Sequence, residues 1–550
     1  MPLSSKPWYT RRRYRALALL AFPVYFCLIP SRLRVLPETT GFTEPLLPNG
    51  DVDYFGAIEQ TYIHKLSPPD DNGMRLPIAA LGPRALEQIA LANTVPWEEM
   101  PTHERSKWWF HEQWIPLCEH MGIDPHVKPQ YLDNLNYYDF LKKEQEANME
   151  AGDMEADDHR YYDAGEELRQ KLIATPWTAE EYPNIARWIE ERSPVLDLFG
   201  DAVRKPNFAC FRWRPESEFL AYVLLPDVQA QRQFGRELSI RITERLGRGD
   251  VDGAWYDVMS MLYLSRKHWI DDPFIVVKLV GSAVEAMGLE AAKVILQYGN
   301  PTPEQLERFA RDLDSLPRET TLSLKGELGM GYSVLQFLCK GDKDTRKEFF
   351  CDMACSNDGI LSWEDRLMQY ITFLPTDLNI AGKRITEFLL QQRVVNWMIS
   401  RTTAQRRHAD EYDMILGKNY RIMESLWSLL RVPLIHTRSK LIADYVIKNC
   451  LSGIGAAVRA FVYADTRLEM LRLAVALKRY KTAHEKYPET LNELIPKYLD
   501  ELPLEPLTGQ LTWEYKLAPD EETAVLLHSS EWSENEDDFR KKNLFLRITK

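Results

Sequence analysis

Residues 229–246 read QAQRQFGRELSIRITERL, residues 252–269 DGAWYDVMSMLYLSRKHW, and residues 273–298 PFIVVKLVGSAVEAMGLEAAKVILQY. In the first two, apolar side chains recur at the three- and four-residue spacing of a helix face, and Gly247-Arg248-Gly249-Asp250 between them is turn chemistry. Asp272 and Pro273 suit the N-cap and first position of the third helix. There Phe274, Val277, Val280, Val284, Met287, Ala291, Val294 and Leu296 cover a broad arc, and Lys278, Glu285 and Lys293 mark a narrow polar stripe. A helix polar over so little of its surface has to be covered by neighbours. Gly299, Asn300, Pro301, Thr302 and Pro303 end it and open the next, Pro303 to Leu316. Consecutive helices on short turns predict antiparallel hairpins stacked as a bundle or an irregular solenoid. No period of about 34 or 40 residues is sustained, so the pattern is not a tetratricopeptide or HEAT array.

Helical patterns resume at Ser362 to Phe373, Leu378 to Ser400, Glu411 to Arg431 and Leu441 to Tyr463, which predicts an all-α domain over 206–460. Upstream, 37–205 reads as a Pro-rich stalk and short-helix region. It is mostly loop over 37–75, with one helix from Asp53 to Lys65, then short helices broken by Pro96, Pro101, Pro116, Pro125 and Pro129. The acidic run from Lys142 to Glu167 is a solvated helix or a linker.

The N-terminus places Lys6, Arg11, Arg12, Arg13 and Arg15 ahead of an uncharged apolar run, Ala16 through Pro30. Fifteen helical residues span about 22 Å, short of the ~30 Å hydrocarbon core, and Leu33, Val35 and Leu36 would lengthen the span. No small-residue cleavage site follows, so 1–36 is expected to be a cytoplasmic tail and uncleaved signal anchor, contacting the membrane through 16–36. The excess of cations upstream predicts the N-terminus inside and the bulk of the chain outside, in the periplasm. The competing reading is a basic tail on a buried helix, since Pro23 and Pro30 interrupt the run.

The chain has 550 residues, with 81 acidic and 68 basic side chains giving a formal charge of −13, which disfavours phosphate backbones and predicts no nucleic-acid partner. Seven scattered cysteines make no disulfide framework, and Cys351 and Cys355 read as core residues of a helix. The phosphate-binding, nucleophile-elbow and H-E-x-x-H motifs are absent, and no cofactor is expected. Gly326, Gly329 and Gly331 lack strand-turn-helix spacing and read as close packing or a turn. His103, His111, Cys118 and His120 are zinc candidates by ligand type, though their spacing matches no zinc module. Alternating oxygens at Ser533, Asn535, Asp537 and Asp538 make a calcium candidate.

From Asp465 a helix carries Leu468, Leu471, Val475, Leu477 and Tyr480, then Tyr487-Pro488, Leu491, Leu494, Leu502-Pro503, Pro506, Gly509, Trp513 and Tyr515, and an apolar strand from Ala524 to Leu527. This order resembles the globular part of type IV pilins and type II secretion pseudopilins, which implies a small α+β domain over 461–550. The filament-forming N-terminal helix of that family has no counterpart, because Gly41-Phe42-Thr43-Glu44 runs into Pro45 and Pro48. The remainder resembles uncharacterised membrane-anchored helical bacterial proteins. The fold expected is mainly α: anchor helix, central hairpin bundle or solenoid, and small C-terminal α+β domain. The function expected is that of a membrane-tethered extracytoplasmic interaction or assembly protein with a protein partner in the cell envelope. The alternative is an enzyme with its site in a pocket of the central helical domain.

Overall fold

In a computed structural model the chain is described over residues 33–66, 68–86, 113–131, 135–148, 158–215, 219–317, 325–340, 376–391, 435–451 and 453–503, at a few positions between 366 and 374, and in three strands after 512. Helices α1 (Pro37–Thr40), α2 (Tyr54–Tyr62) and α3 (Arg75–Leu81) open it. Next come α4 (Ile115–Met121), α5 (Tyr137–Asn148), α6 (Asp158–Ala174) and α7 (Pro183–Ala202). The hairpin helices are α8 (Asp227–Gly247), α9 (Val251–Asp271), α10 (Ile275–Tyr298) and α11 (Pro303–Ser315). Then α12 (Lys325–Lys340), α13 (Leu378–Gln391), α14 (Ile435–Val446) and α15 (Gly453–His484) lead to β1 (Trp513–Leu517), β2 (Ala524–His528) and β3 (Phe545–Ile548). The protein is mainly helical, and the strands pair antiparallel in the order β1-β2-β3.

Helices α8, α9 and α10 pack against one another as expected, and α15 covers α10 and α11. Arg248 to Asp250 is a turn for backbone reasons: Gly249 has a left-handed φ of 80° and Asp250 accepts the Gly253 N–H at 2.9 Å. The capping box before α11 is present, with Thr302 accepting from the Gln305 N–H at 3.2 Å. Two details of the hairpin differ from the reading. Helix α10 starts at Ile275 rather than at Pro273, because Asp272 accepts the Phe274 N–H and is also held by Arg212. The stripe of α10 also turns inward, where Lys278 and Glu285 are fully buried and Glu285 answers Arg266 of α9.

Among the described residues three apolar clusters fill the interior, and they run across the expected boundaries at 205 and 460. The largest joins Leu66 and Ile78 to Leu262, Leu296, Leu473 and Leu494. A second joins Tyr54, Phe55 and Ile58 of α2 to α12, α13 and α14. A third is built on Tyr137, Phe140, Trp177 and Trp188. Residues 37–86 are therefore not a stalk. Their prolines separate short segments, each of which keeps its apolar residues on one side and buries them, as Val52, Tyr54, Ile58, Tyr62, Met74 and Ile78 do. Leu33, Val35 and Leu36 do not extend an anchor helix either, since residues 33–36 are non-helical and Leu33 and Val35 lie on the second core. Residues 1–32 lie outside the described residues, and among the described ones no helix is long and apolar enough to cross a membrane.

Helix α15 runs unbroken through the expected boundary at 460 and is 32 residues long, about 48 Å. On it, burial together with the neighbouring Lys481 brings the Lys478 ammonium down to about 8. Against an unfolded value near 10.4, the proton binds the unfolded chain more readily, so this lysine has no effect on folding above that value, opposes it increasingly as pH falls below it, and opposes it in full once pH has fallen through about 8. Lys478→Met is expected to raise stability at pH 7 by on the order of 1 kcal/mol and to leave it unchanged near pH ~10.5, as read by urea denaturation at both pH values.

Candidate functional site

Of the zinc candidates, Cys118 and His120 lie among the described residues. Cys118 and His120 are two apart on α4, so they point to different sides: Cys118 is fully buried, while exposed His120 has its Nδ1 2.8 Å from the Pro116 carbonyl and tilts on Phe211. Burial pushes the Cys118 thiol up to about 12, so it stays protonated in the metal-free protein. His103 and His111 lie outside the described residues, as do Cys351, Cys355 and the calcium candidates Ser533, Asn535, Asp537 and Asp538. Among the described residues no three His, Cys, Asp or Glu side chains are placed to share a metal ion. Gly326, Gly329 and Gly331 sit in α12 at close contacts, Gly326 against the Pro273 carbonyl, and not in a phosphate loop.

Charge is instead concentrated inside the helical body, in pairs that each tie two or more elements. Arg212, on the extended segment between α7 and α8, is clasped by Asp227 at the start of α8 and by Asp272 after α9, the latter at 2.7 Å. Gln231 donates to Asp227 at 2.7 Å. Burial works against the guanidinium charge, but the two carboxylates outweigh it and hold the proton of Arg212 well above the ordinary arginine value. Arg241 of α8 forms a two-pronged pair with Asp257 of α9 at 2.9 and 2.6 Å. Arg192 of α7 meets Glu237 of α8 at 2.8 Å. Arg266 of α9 reaches Glu285 of α10 at 2.6 Å and Asp465 of α15 at 3.0 Å.

These pairs are architecture. A buried ion pair adds little net stability over an apolar one, but a charge out of register is left unpaired in low dielectric, so each pair penalises any other helix arrangement. That Cys210 shares the Arg212 cluster does not make it reactive, because complete burial raises its thiol well above the usual range.

One open feature among the described residues is a cleft of about 340 Å³ between α5 and α7, lined by Gln130, Tyr131, Leu135, Phe140, Lys143, Trp188 and Glu191. Phe140 and Trp188 stack at 5.9 Å, and the Trp188 indole N–H is fixed on the Leu135 carbonyl at 3.0 Å. Exposed Lys143 and Glu191 stand at its rim with the Gln130 amide. Rings, one cation, one anion and an amide are the chemistry of recognition.

The sequence reading singled out neither the cleft nor the buried pairs. The segment Cys210-Phe211-Arg212-Trp213-Arg214 carries a signal for one of them: an arginine between large apolar residues on an extended stretch has to find carboxylates inside. No family model, curated protein or solved structure matches the chain.

Proposed function

We propose that the protein is a membrane-tethered, extracytoplasmic interaction protein. Its anchor lies in residues 16–32 with the N-terminus cytoplasmic, and its C-terminal end is a small pilin-like α+β head held on a helical body in the periplasm. The observation that carries this reading is the single helix α15, which belongs to body and head at once. Its first half is tied to α9 by Arg266 and Asp465, and its second half to α11 by Arg479 and Glu307 at 2.6 Å. Tyr480 then donates to Glu493 at 2.8 Å, and Tyr515 of β1 to the Pro488 carbonyl at 2.7 Å, which fastens the turn and the sheet to the same helix. A head mounted without a hinge presents its surface at a fixed angle to the body, which is what a docking module requires.

The enzyme alternative places a pocket in the central helices. Among the described residues of that region, α8 closes on α10 where Gly235 meets Val284 and Met287, and α9 on α10 where Gly288 meets Met261, which gives the enzyme reading no support at those two seams. The test is in-membrane cross-linking of the full chain followed by mass spectrometry, against a variant in which exposed Lys486 and Lys497 of the head are both changed to Glu. Loss of at least four-fifths of the adduct to one envelope protein is the expected result. Equal adducts from both chains, or none from either, would remove the docking role of the head.

A further inference from the structure

From residue 33 the contacts that the chain makes with the folded body are specific. The Arg34 N–H donates to Asn379 of α13 at 2.8 Å, and Thr386 of the same helix donates to the Glu38 carbonyl at 3.0 Å. Thr39 and Thr40 are buried, and Tyr54 donates to the Thr40 carbonyl at 3.0 Å. Helix α13 carries Gly382 where a Cβ would lie 1.7 Å from the Thr39 carbonyl, so the arm backbone rests directly on the helix. Tyr332 of α12 closes the joint, with its hydroxyl 2.7 Å from that of Thr386.

The apolar run of the sequence ends at Pro30, so Ser31 and Arg32 alone separate it from docked Leu33. Three extended residue steps reach about 10 Å, roughly one headgroup layer. A tether this short leaves no stalk. On the docked arm Leu36 stands 39% exposed between exposed Arg34 and exposed Glu38, and α13 carries exposed Lys383 and Glu387. An exposed leucine with charges of both signs around it is suited to a zwitterionic headgroup surface, where the leucine enters the acyl boundary, the cations meet phosphates and the carboxylates meet headgroup amines.

Resting on the tether reading, we propose that the face formed by the arm 33–40 and helix α13 lies against the lipid surface, which fixes the orientation of the whole body on the membrane. The partner of this face is the bilayer. The core built on α12, α13 and α14 is then the membrane-proximal end, and the body does not swing on a flexible leash.

The full chain is tested with a photoreactive benzophenone amino acid placed at position 36, 383 or 497, one at a time, in native membranes. Lipid adducts at 36 and 383, at least fivefold above those at 497, are the expected result. A flexible Gly/Ser insert of about 12 residues between Arg32 and Leu33 adds about 20 Å of reach; adducts at 383 should survive it at half the original level or more if the face itself binds lipid. Membrane retention of the chain with no excess at 36 and 383, or loss of adducts on insertion, overturns this inference and leaves the tether standing. A chain that does not sediment with membranes overturns both.

Discussion

Arg212→Leu is expected to destabilise the protein by about 3–5 kcal/mol, the usual loss when one partner is taken from a buried pair. The side chain is 1% exposed and holds two carboxylates, Asp227 at 1% and Asp272 at 9%. Removing it leaves two negative charges facing each other in a medium that solvates neither. Urea denaturation reads the loss as a lower midpoint at unchanged slope. The triple change Arg212→Leu, Asp227→Asn, Asp272→Asn should recover more than half of it, because neutral amides abolish the repulsion. A loss below about 1 kcal/mol in the single variant would mean that the cluster is hydrated and open.

The second large effect is expected at Gly247, the last residue of α8. A Cβ there would stand 1.8 Å from the Trp177 carbonyl oxygen, a backbone atom with little freedom. Trp177 is buried, and its indole donates to Thr243 of α8 at 3.1 Å, so the segment after α6 is pinned to the helix it would have to leave. Gly247→Ala should cost about 3 kcal/mol. Two residues on, Gly249 has open space around its Cβ position and a φ of 80°, so Gly249→Ala meets conformational strain alone and should cost about 1 kcal/mol. Equal losses at the two sites would show that α8 and the Trp177 segment are not in contact. The comparison is made by thermal and urea unfolding of both variants.

Why these sites escaped the sequence reading has a physical explanation. Periodicity is local, and it located α8, α9, α10 and α11 to within a few residues, because an amphipathic stripe and its capping residues sit on the same short stretch. The partners of Arg212 are 15 and 60 residues away, and Arg266 finds Asp465 at a distance of 199. Spacing of that kind leaves no local trace. The same holds for Lys278 and Glu285, which look like a solvent stripe until Arg266 is placed opposite Glu285. Asp465 read as the start of a helix because it precedes an apolar run; in the fold it is a mid-helix residue held by a cation on another helix. Prolines misled in the other direction. Between 37 and 86 they fall at helix starts, as Pro37 does, or within a first turn, as Pro77 does, and the short pieces they accompany carry enough buried aromatic and aliphatic surface to belong to the core. Among the candidate ligands, Cys118 and His120 point to different sides of α4, which their spacing of two already encoded.

Location decides between this account and its competitors, and it is measured most directly by alkaline carbonate extraction of membranes from cells expressing the full chain, with protease added to intact spheroplasts beforehand. The account predicts that the untreated chain stays in the carbonate-washed pellet. It also predicts that external protease degrades the body while leaving a membrane-held N-terminal fragment of a few kilodaltons. A chain released by carbonate, or one protected from protease until the spheroplasts are lysed, would contradict it.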